Sequence, residues 1–397
     1  MKIIFVSATC DRRDYEEICK NRKVQMLDSS QKFFEMFLGG LSQMDGVSVD
    51  CLTVRPISHS TYPGYSIPAK ETKNGNLTYH YVKLFNVPVL KSIFAARRIR
   101  KKMRALLRQY KDEEVRIICD PLLMEGLTPT VRLGKKYGVM TAGFLTDMPD
   151  FADECDEHGR LKRMMYRVYH KRVKRDLSRL DRYIVLTEAM REVAADKPWL
   201  LLDCIVDETM LCGLEAKAYE DGLPHILYAG KLHREFGLKL LGDAMQRVQH
   251  ACVFDLYGDG NYVEELKEIA KKQSNIRIHG IVPLKEVLGY ELSSTVLINP
   301  RTSEGEFTKY SFPSKTAEYM LTGIPVVMFR LPGISAEYGQ YICFADEESA
   351  DGFAKKIDEV LSKTEEERAR IGAAAKSFVL GNKNNLAQAG RVIEFLR

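Results

Sequence analysis

The stretch TKYSFPSKTAEYMLTGIPVVMF, Thr308 to Phe329, carries one carboxylate, Glu318, about one turn into a short helical run. Pro313-Ser314 opens that run, Thr322-Gly323 closes it, and an apolar strand follows. A helix start near Ser314 presents backbone N–H groups and the positive end of a dipole, chemistry that suits a diphosphate. Glu318 has two acceptor oxygens and can take hydrogen bonds from both hydroxyls of a ribose. Lys231 in "YAGKL" stands just past a strand-like run and can neutralise phosphate charge. Gly230 precedes it. Gly258 in "LYGDG", Val282 in "HGIVP" and Arg301 in "NPR" end three further strand-like runs. Ligands of open α/β sheets bind beyond such carboxyl ends.

The first half offers Asp147, in "FLTDMPD", also at the end of a strand-like run. It is a candidate to orient or deprotonate a hydroxyl, with Asp150 and Glu154 as nearby rivals. Two basic segments lie on either side of it. Residues 91–111 hold nine Lys/Arg and no acid, among them Arg97, Arg98, Arg100, Lys101 and Lys102. Residues 160–179 hold nine more and one Asp, among them Arg163, Arg167, Lys171 and Arg172. Apolar residues Ile93, Phe94, Ile99, Met103, Leu106 and Leu107 fall near helical spacing in the first segment. Basic amphipathic helices lie well on anionic membrane surfaces, and that contact is the expectation here. The bland reading is a solvated face above an apolar stripe in the core.

These residues need a scaffold that delivers strand ends. Runs 2–7, 47–54, 77–84, 115–120, 137–147 and 181–187 read as strands of the first half, with 181–187 as its last. A helix over 29–44 places Phe33, Phe34, Phe37, Leu38 and Leu41 on one face. In the second half, strands at 224–230, 252–260, 276–282, 295–300 and 324–329 alternate with helices at 235–248, 261–273 and 283–294. Alternation of this kind predicts α/β architecture: two Rossmann-like, doubly wound domains of parallel sheet, joined by a linker within 203–224.

The 397 residues are too many for one comfortable core, which agrees with two domains. Composition is that of a globular protein, 45% hydrophobic and 28% charged. No run of 18 or more apolar residues appears, so no transmembrane helix is expected. "MKIIFVSATC" reads as a first strand rather than a signal peptide. The nine scattered cysteines form no CxxC pair, so the expectation is a reducing cytoplasm without a zinc site. Residues 1–200 hold 36 Lys/Arg against 25 Asp/Glu, a charge of +11, while the remainder carries −6. The first half is therefore expected to meet something anionic. No GxGxxG follows the first strand, which argues against a dehydrogenase, and no Asp-x-Asp triplet supports a metal-dependent transferase.

The order "YAGKL…FG…LYGDG…IRIHGIVP…NPR…SFPSKTAEYMLTGIPVV" resembles glycosyltransferase family 4, enzymes of the GT-B fold that use nucleotide sugars. The likeness covers the second half and, more loosely, the first through "KIIFVS", "FLTDMPD" and "YIVLTEAM". It is strongest toward members that build bacterial capsule and exopolysaccharide. The resemblance implies a central cleft between an acceptor domain, 1–205, and a donor domain, 206–377, with a last helix at about 378–397 packing back on the first. It implies a retaining hexosyl transfer with no cofactor and no metal in catalysis. The partners it implies are a nucleotide sugar, a lipid-linked saccharide acceptor and the cytoplasmic face of the bacterial membrane; no nucleic acid is expected. Phe312, Pro313, Ser314, Lys315 and Glu318 match the family's donor helix.

Three positions depart from the family pattern. Its phosphate-binding Arg is Lys231, which keeps charge and loses the bidentate fork. Its second cation, five residues on, is Phe236, leaving Arg234, Lys309 and Lys315 as substitutes. Its first motif carboxylate, eight residues before Glu318, is Tyr310, expected to alter the sugar contact rather than nucleotide binding. The rival readings are a nucleotide-sugar epimerase on a similar scaffold, which needs acid/base groups not assembled here, and a non-catalytic basic module binding membrane or RNA.

Overall fold

The computed structural model describes residues 1–21, 29–58, 61–87, 90–149 and 170–397. Arg163, Arg167, Asp150 and Glu154 lie outside them. The chain divides into two compact units, Met1–Ile205 with Asn385–Arg397, and Val206–Asn384.

Unit 1 is built on eight strands: β1 (Lys2–Ser7), β2 (Ser48–Thr53), β4 (Lys70–Asn74), β5 (Leu77–Tyr81), β7 (Val115–Cys119), β8 (Met140–Leu145), β9 (Arg182–Val185) and β10 (Trp199–Leu201). Their order is β10-β9-β8-β7-β1-β2-β5-β4. All pairs are parallel except the hairpin β4–β5, which turns at Gly75. A small antiparallel pair, β3 (Ser66–Ile67) with β6 (Leu84–Phe85), stands apart. Two edge strands go beyond the sequence reading. β4 is KETKN, too polar to show alternation. β10 follows 181–187, which is therefore not the last strand; its three residues are too few for a period.

The helices of unit 1 are α1 (Arg12–Lys20), α2 (Ser29–Ser42), α3 (Leu90–Gln109), α4 (Met124–Tyr137), α5 (described over 170–177) and α12 (Asn385–Leu396). α2 buries Phe34, Phe37, Leu38 and Leu41. The ring of Phe34 meets Phe5 of β1 at 5.2 Å, and Phe37 meets Phe144 of β8 at 5.1 Å. α12 lies on the other side of α2, where a Cβ on Gly40 would stand 2.2 Å from the Asn385 carbonyl oxygen. Backbone contact that close requires glycine. Gln388 of α12 donates to the Cys204 carbonyl at 2.7 Å, and Arg116 to that of Leu396 at the same distance. The C-terminal segment of unit 1 thus begins at Asn385 rather than near 378.

Unit 2 has one parallel sheet, β13-β12-β11-β14-β15-β16. Its strands are β11 (His225–Ala229), β12 (Val253–Tyr257), β13 (Ile276–Gly280), β14 (Val296–Asn299), β15 (Val326–Phe329) and β16 (Cys343–Ala345). β11, β12, β14 and β15 are buried at every residue, as central parallel strands covered on both faces must be. Around them lie α6 (Leu238–Met245), α7 (Val263–Ala270), α8 (Leu284–Glu291), α9 (Ser314–Thr322), α10 (Ala350–Leu361) and α11 (Glu365–Asn382). The helix expected over 235–248 is split: Arg234–Phe236 form a 3-10 turn, and Gly237, at φ +83°, starts α6.

Candidate donor and acceptor sites

In unit 2 the loops beyond β11, β12, β13 and β14 are tied backbone to backbone. The N–H of Gly230 donates to Tyr257 O at 2.9 Å and that of Gly258 to Gly280 O at 2.8 Å. Leu232 N–H reaches Asp259 O at 2.9 Å. Gly258 adopts φ +130°, and a Cβ there would sit 1.8 Å from Gly230 O. A Cβ on Gly237 would sit 1.9 Å from Pro300 O, so the loop after β11 also rests on the end of β14. The turn "YGDG" is thus a packing device that fixes where Lys231 emerges. Lys231 itself is exposed.

α9 positions the next group. Pro313 precedes it without a side-chain cap, and Gly323, at φ +82°, ends it. Thr316, Ala317, Tyr319 and Met320 are buried, which leaves Ser314, Lys315 and Glu318 on the open face. Lys315 Nζ stands between two carboxylates, 3.6 Å from Glu318 and 3.7 Å from Glu291. Glu291, the last residue of α8, is fully buried, and sequence reasoning missed it because a single Glu at a helix end carries no signal. It anchors Lys315, and Lys315 in turn restrains Glu318. Phe312 packs on Tyr338 at 5.3 Å between ring centroids, so it holds the loop. Tyr310 is half-buried at the end of the Glu306–Lys309 3-10 turn.

The cations named as substitutes have different surroundings. Arg234 pairs with Glu265 at 2.9 Å and lies over the Tyr262 ring. Lys309 is exposed, 3.4 Å from Glu306. Arg301 is partly buried, and its guanidinium lies over the rings of Phe307 and Phe236. Val282 is half-buried between the exposed Ile281 and Leu284.

In unit 1, Asp147 follows β8, exposed, its carboxylate accepting from Met148 N–H at 2.8 Å. Partial desolvation raises its pKa above the ordinary carboxylate value, and that hydrogen bond opposes the shift. A second strand-end carboxylate, Asp120, follows the neighbouring β7 and is only 8% exposed. Burial pushes its pKa to about 7, opposed by a 2.9 Å hydrogen bond from Leu122 N–H. The signal that selected Asp147 was also present at Asp120-Pro121. Because the folded value lies above the ordinary 3.8, the native state keeps a proton between about pH 4 and 7 that the unfolded chain has lost. The stabilisation is full below that window and is lost as pH rises through it. Asp120→Asn, neutral throughout, is therefore expected to gain on wild type by about 2–3 kcal/mol between pH 5 and pH 8 in denaturant titrations. A difference independent of pH would contradict this.

The basic helix α3 buries Ile99, Met103, Leu106 and Leu107 in the core of unit 1, so most of its apolar stripe is already covered. Leu90 and Ile93, at its start, are 46% and 44% exposed. Arg98 donates to Lys83 O and Lys102 pairs with Glu71 at 2.7 Å, while Arg97, Arg100 and Lys101 are exposed. Arg97, Arg100, Arg132 and Arg172 line one cavity of about 330 Å³ between α3 and α4. Lys171 is exposed on α5.

Comparison with known proteins agrees with this geometry. Residues 223–363 match the family Glycosyl transferases group 1. No curated protein matches the chain. Among solved structures, sucrose-phosphate synthase from Thermosynechococcus elongatus is similar, with TM-score 0.66 and 15% identity over 99% of this chain and 98% of that one. The lipopolysaccharide outer core galactosyltransferase WaaB is similar at TM-score 0.61 and 12% identity, over 100% and 99%. Anabaena Alr3699/HepE, in complex with UDP, follows at TM-score 0.59 and 13% identity, over 100% and 99%. The chain has the GT-B fold, and its second unit carries a glycosyltransferase domain.

Proposed function

We propose that the protein is a retaining glycosyltransferase of the family 4 type, moving a hexose-type sugar from a nucleotide-diphosphate sugar to an acceptor hydroxyl. The observation that carries this reading is α9: an uncapped helix start at the carboxyl end of a parallel sheet, with Lys315 and Glu318 on its open face. The UDP bound to the Anabaena protein supports a nucleoside-diphosphate donor. The diphosphate meets the helix start and the neighbouring cations, and Glu318 takes the ribose hydroxyls. The bond from C1 to the diphosphate oxygen breaks through an oxocarbenium-like state, and the leaving charge falls on groups already in place. The acceptor oxygen bonds to C1 on the same face, and its proton passes to Asp147. Calorimetry with a panel of nucleotide sugars, followed by transfer assays with membrane-derived lipid acceptors, tests the reading. Asp147→Asn keeps donor binding and loses turnover; normal turnover removes Asp147 from this role, and absence of any nucleotide-sugar binding rejects the function.

The acceptor is a lipid-linked glycan of surface polysaccharide synthesis, a reading that the similarity to a lipopolysaccharide galactosyltransferase supports. Among the described residues no helix is long and apolar enough to cross a membrane. Contact with the inner face of the cell membrane rests on the exposed cations of α3 together with Leu90 and Ile93. Anionic vesicles at low salt should bind the protein and neutral ones should not. Charge reversal of Arg97, Arg100 and Lys101 together should cut binding by at least about 100-fold, each charge near the surface being worth about 1 kcal/mol. Equal binding to neutral and anionic vesicles would reject the electrostatic part.

A further inference from the structure

We propose that Arg301 is the cation that grips the leaving diphosphate, in the role that Phe236 leaves unfilled on the loop after β11. This rests on the nucleotide-sugar reading above. Arg301 stands just past β14, beside β11 in the sheet, at the carboxyl end where Lys231 also emerges. Its guanidinium lies 4.9 Å from the Phe307 ring centroid and 5.7 Å from that of Phe236. Lys231 Nζ lies over the same Phe236 ring, also at 5.7 Å. Phe236 thus gathers two cations, one from each strand end, onto one aromatic side chain.

What marks Arg301 is the absence of an acceptor. Its Nε is buried without a hydrogen-bond partner. Among the described residues no carboxylate lies within ion-pair distance of it, and its side chain makes no hydrogen bond. Burial lowers its pKa from the usual guanidinium value, opposed only by the nearby Tyr228 phenol. Ring faces attract a cation but accept none of its five N–H donors. A partly desolvated guanidinium with a buried, unfilled Nε–H donor is costly unless an anion completes it. The fork that Lys231 lacks is the group that binds phosphate oxygens in pairs.

The packing explains why the loop and Arg301 meet. Gly237 brings the β11 loop onto the Pro300 carbonyl, and Asn299 Oδ1 accepts from Arg301 N–H at 3.3 Å, fixing the backbone from which the side chain leaves. A lysine at 236 would place a third cation against Lys231 and Arg301. A phenylalanine there supports Arg301 instead.

The test is calorimetry with UDP, GDP and ADP and the matching nucleosides, on wild type, Arg301→Gln, Arg301→Lys and the double variant Arg301→Gln/Phe236→Lys. For the base that binds wild type, Arg301→Gln should weaken the diphosphate by about 30-fold or more and the nucleoside by less than about 3-fold. The double variant should recover about 5-fold or more of the diphosphate affinity, because charge returns to the loop. Equal losses for diphosphate and nucleoside, or no loss, overturn the proposal. If Arg301→Gln does not fold by circular dichroism, Arg301→Lys decides: a loss of about 3- to 10-fold confined to the diphosphate supports it, and unchanged affinity overturns it. If no nucleotide binds wild type, the donor reading fails and Arg301's role falls with it; if nucleotides bind and the variants are unaffected, only Arg301's role is rejected.

Discussion

Glu318→Gln is expected to lower donor affinity and kcat/KM by about 100-fold, as one charge-assisted hydrogen bond from a ribose hydroxyl becomes neutral and the other loses its acceptor oxygen. Glutamine keeps the shape of the side chain and one acceptor oxygen, so the loss combines the missing charge with the exchange of one acceptor for an amide donor. Lys315 then loses one of its two carboxylates, and Glu291, at 3.7 Å, still neutralises it. Stability should therefore change little, and the melting temperature checks this. Nucleotide and nucleotide sugar should weaken alike, because Glu318 is assigned to the ribose rather than to the sugar. The measurement is calorimetric affinity for both ligands beside steady-state kinetics. Affinities within about 3-fold of wild type would make Glu318 a solvated helix residue and leave α9 with only its helix end to offer.

Gly258→Ala is expected to destabilise unit 2 by about 3 kcal/mol or more and to disorder the donor loops. Two costs coincide there. The backbone stands at φ +130°, which an L side chain rarely adopts, and the new methyl would lie 1.8 Å from Gly230 O. That oxygen is backbone, on a residue whose N–H is bonded to the Tyr257 carbonyl at 2.9 Å, and it cannot swing aside as a side chain would. Gly280→Ala is the natural comparison. Its φ is +70° and no atom lies within 4 Å of its Cβ position, so only conformational strain remains, about 1–2 kcal/mol. Denaturant titration of both variants, read with nucleotide affinity, checks the contrast. If Gly258→Ala is no worse than Gly280→Ala, the close loop contact has no energetic weight.

The alternating strands and helices of both units were legible in the sequence because a central parallel strand such as HILYA or VVMF must be apolar throughout, and the helices between must show a stripe. Polar or three-residue edges such as KETKN and WLL carry neither signal, so β4 and β10 became visible only through their pairing. α9 and its Glu318 were legible too, since Pro-Ser before and Gly after are local instructions. The contacts between distant segments were not. Glu291 under Lys315, Asp120 beside Asp147's strand, and the rings of Phe236 and Phe307 about Arg301 depend on which loops the sheet order brings together. The sequence by itself determined the residue types at each strand end, because covalent order and local propensity suffice for that. Only the tertiary structure decided which of those charges have a counter-charge within reach: Arg234 has Glu265, Lys315 has two carboxylates, and the Arg301 side chain has only ring faces among the described residues. Pairing and desolvation are set by distance in space, and distance in sequence does not encode them.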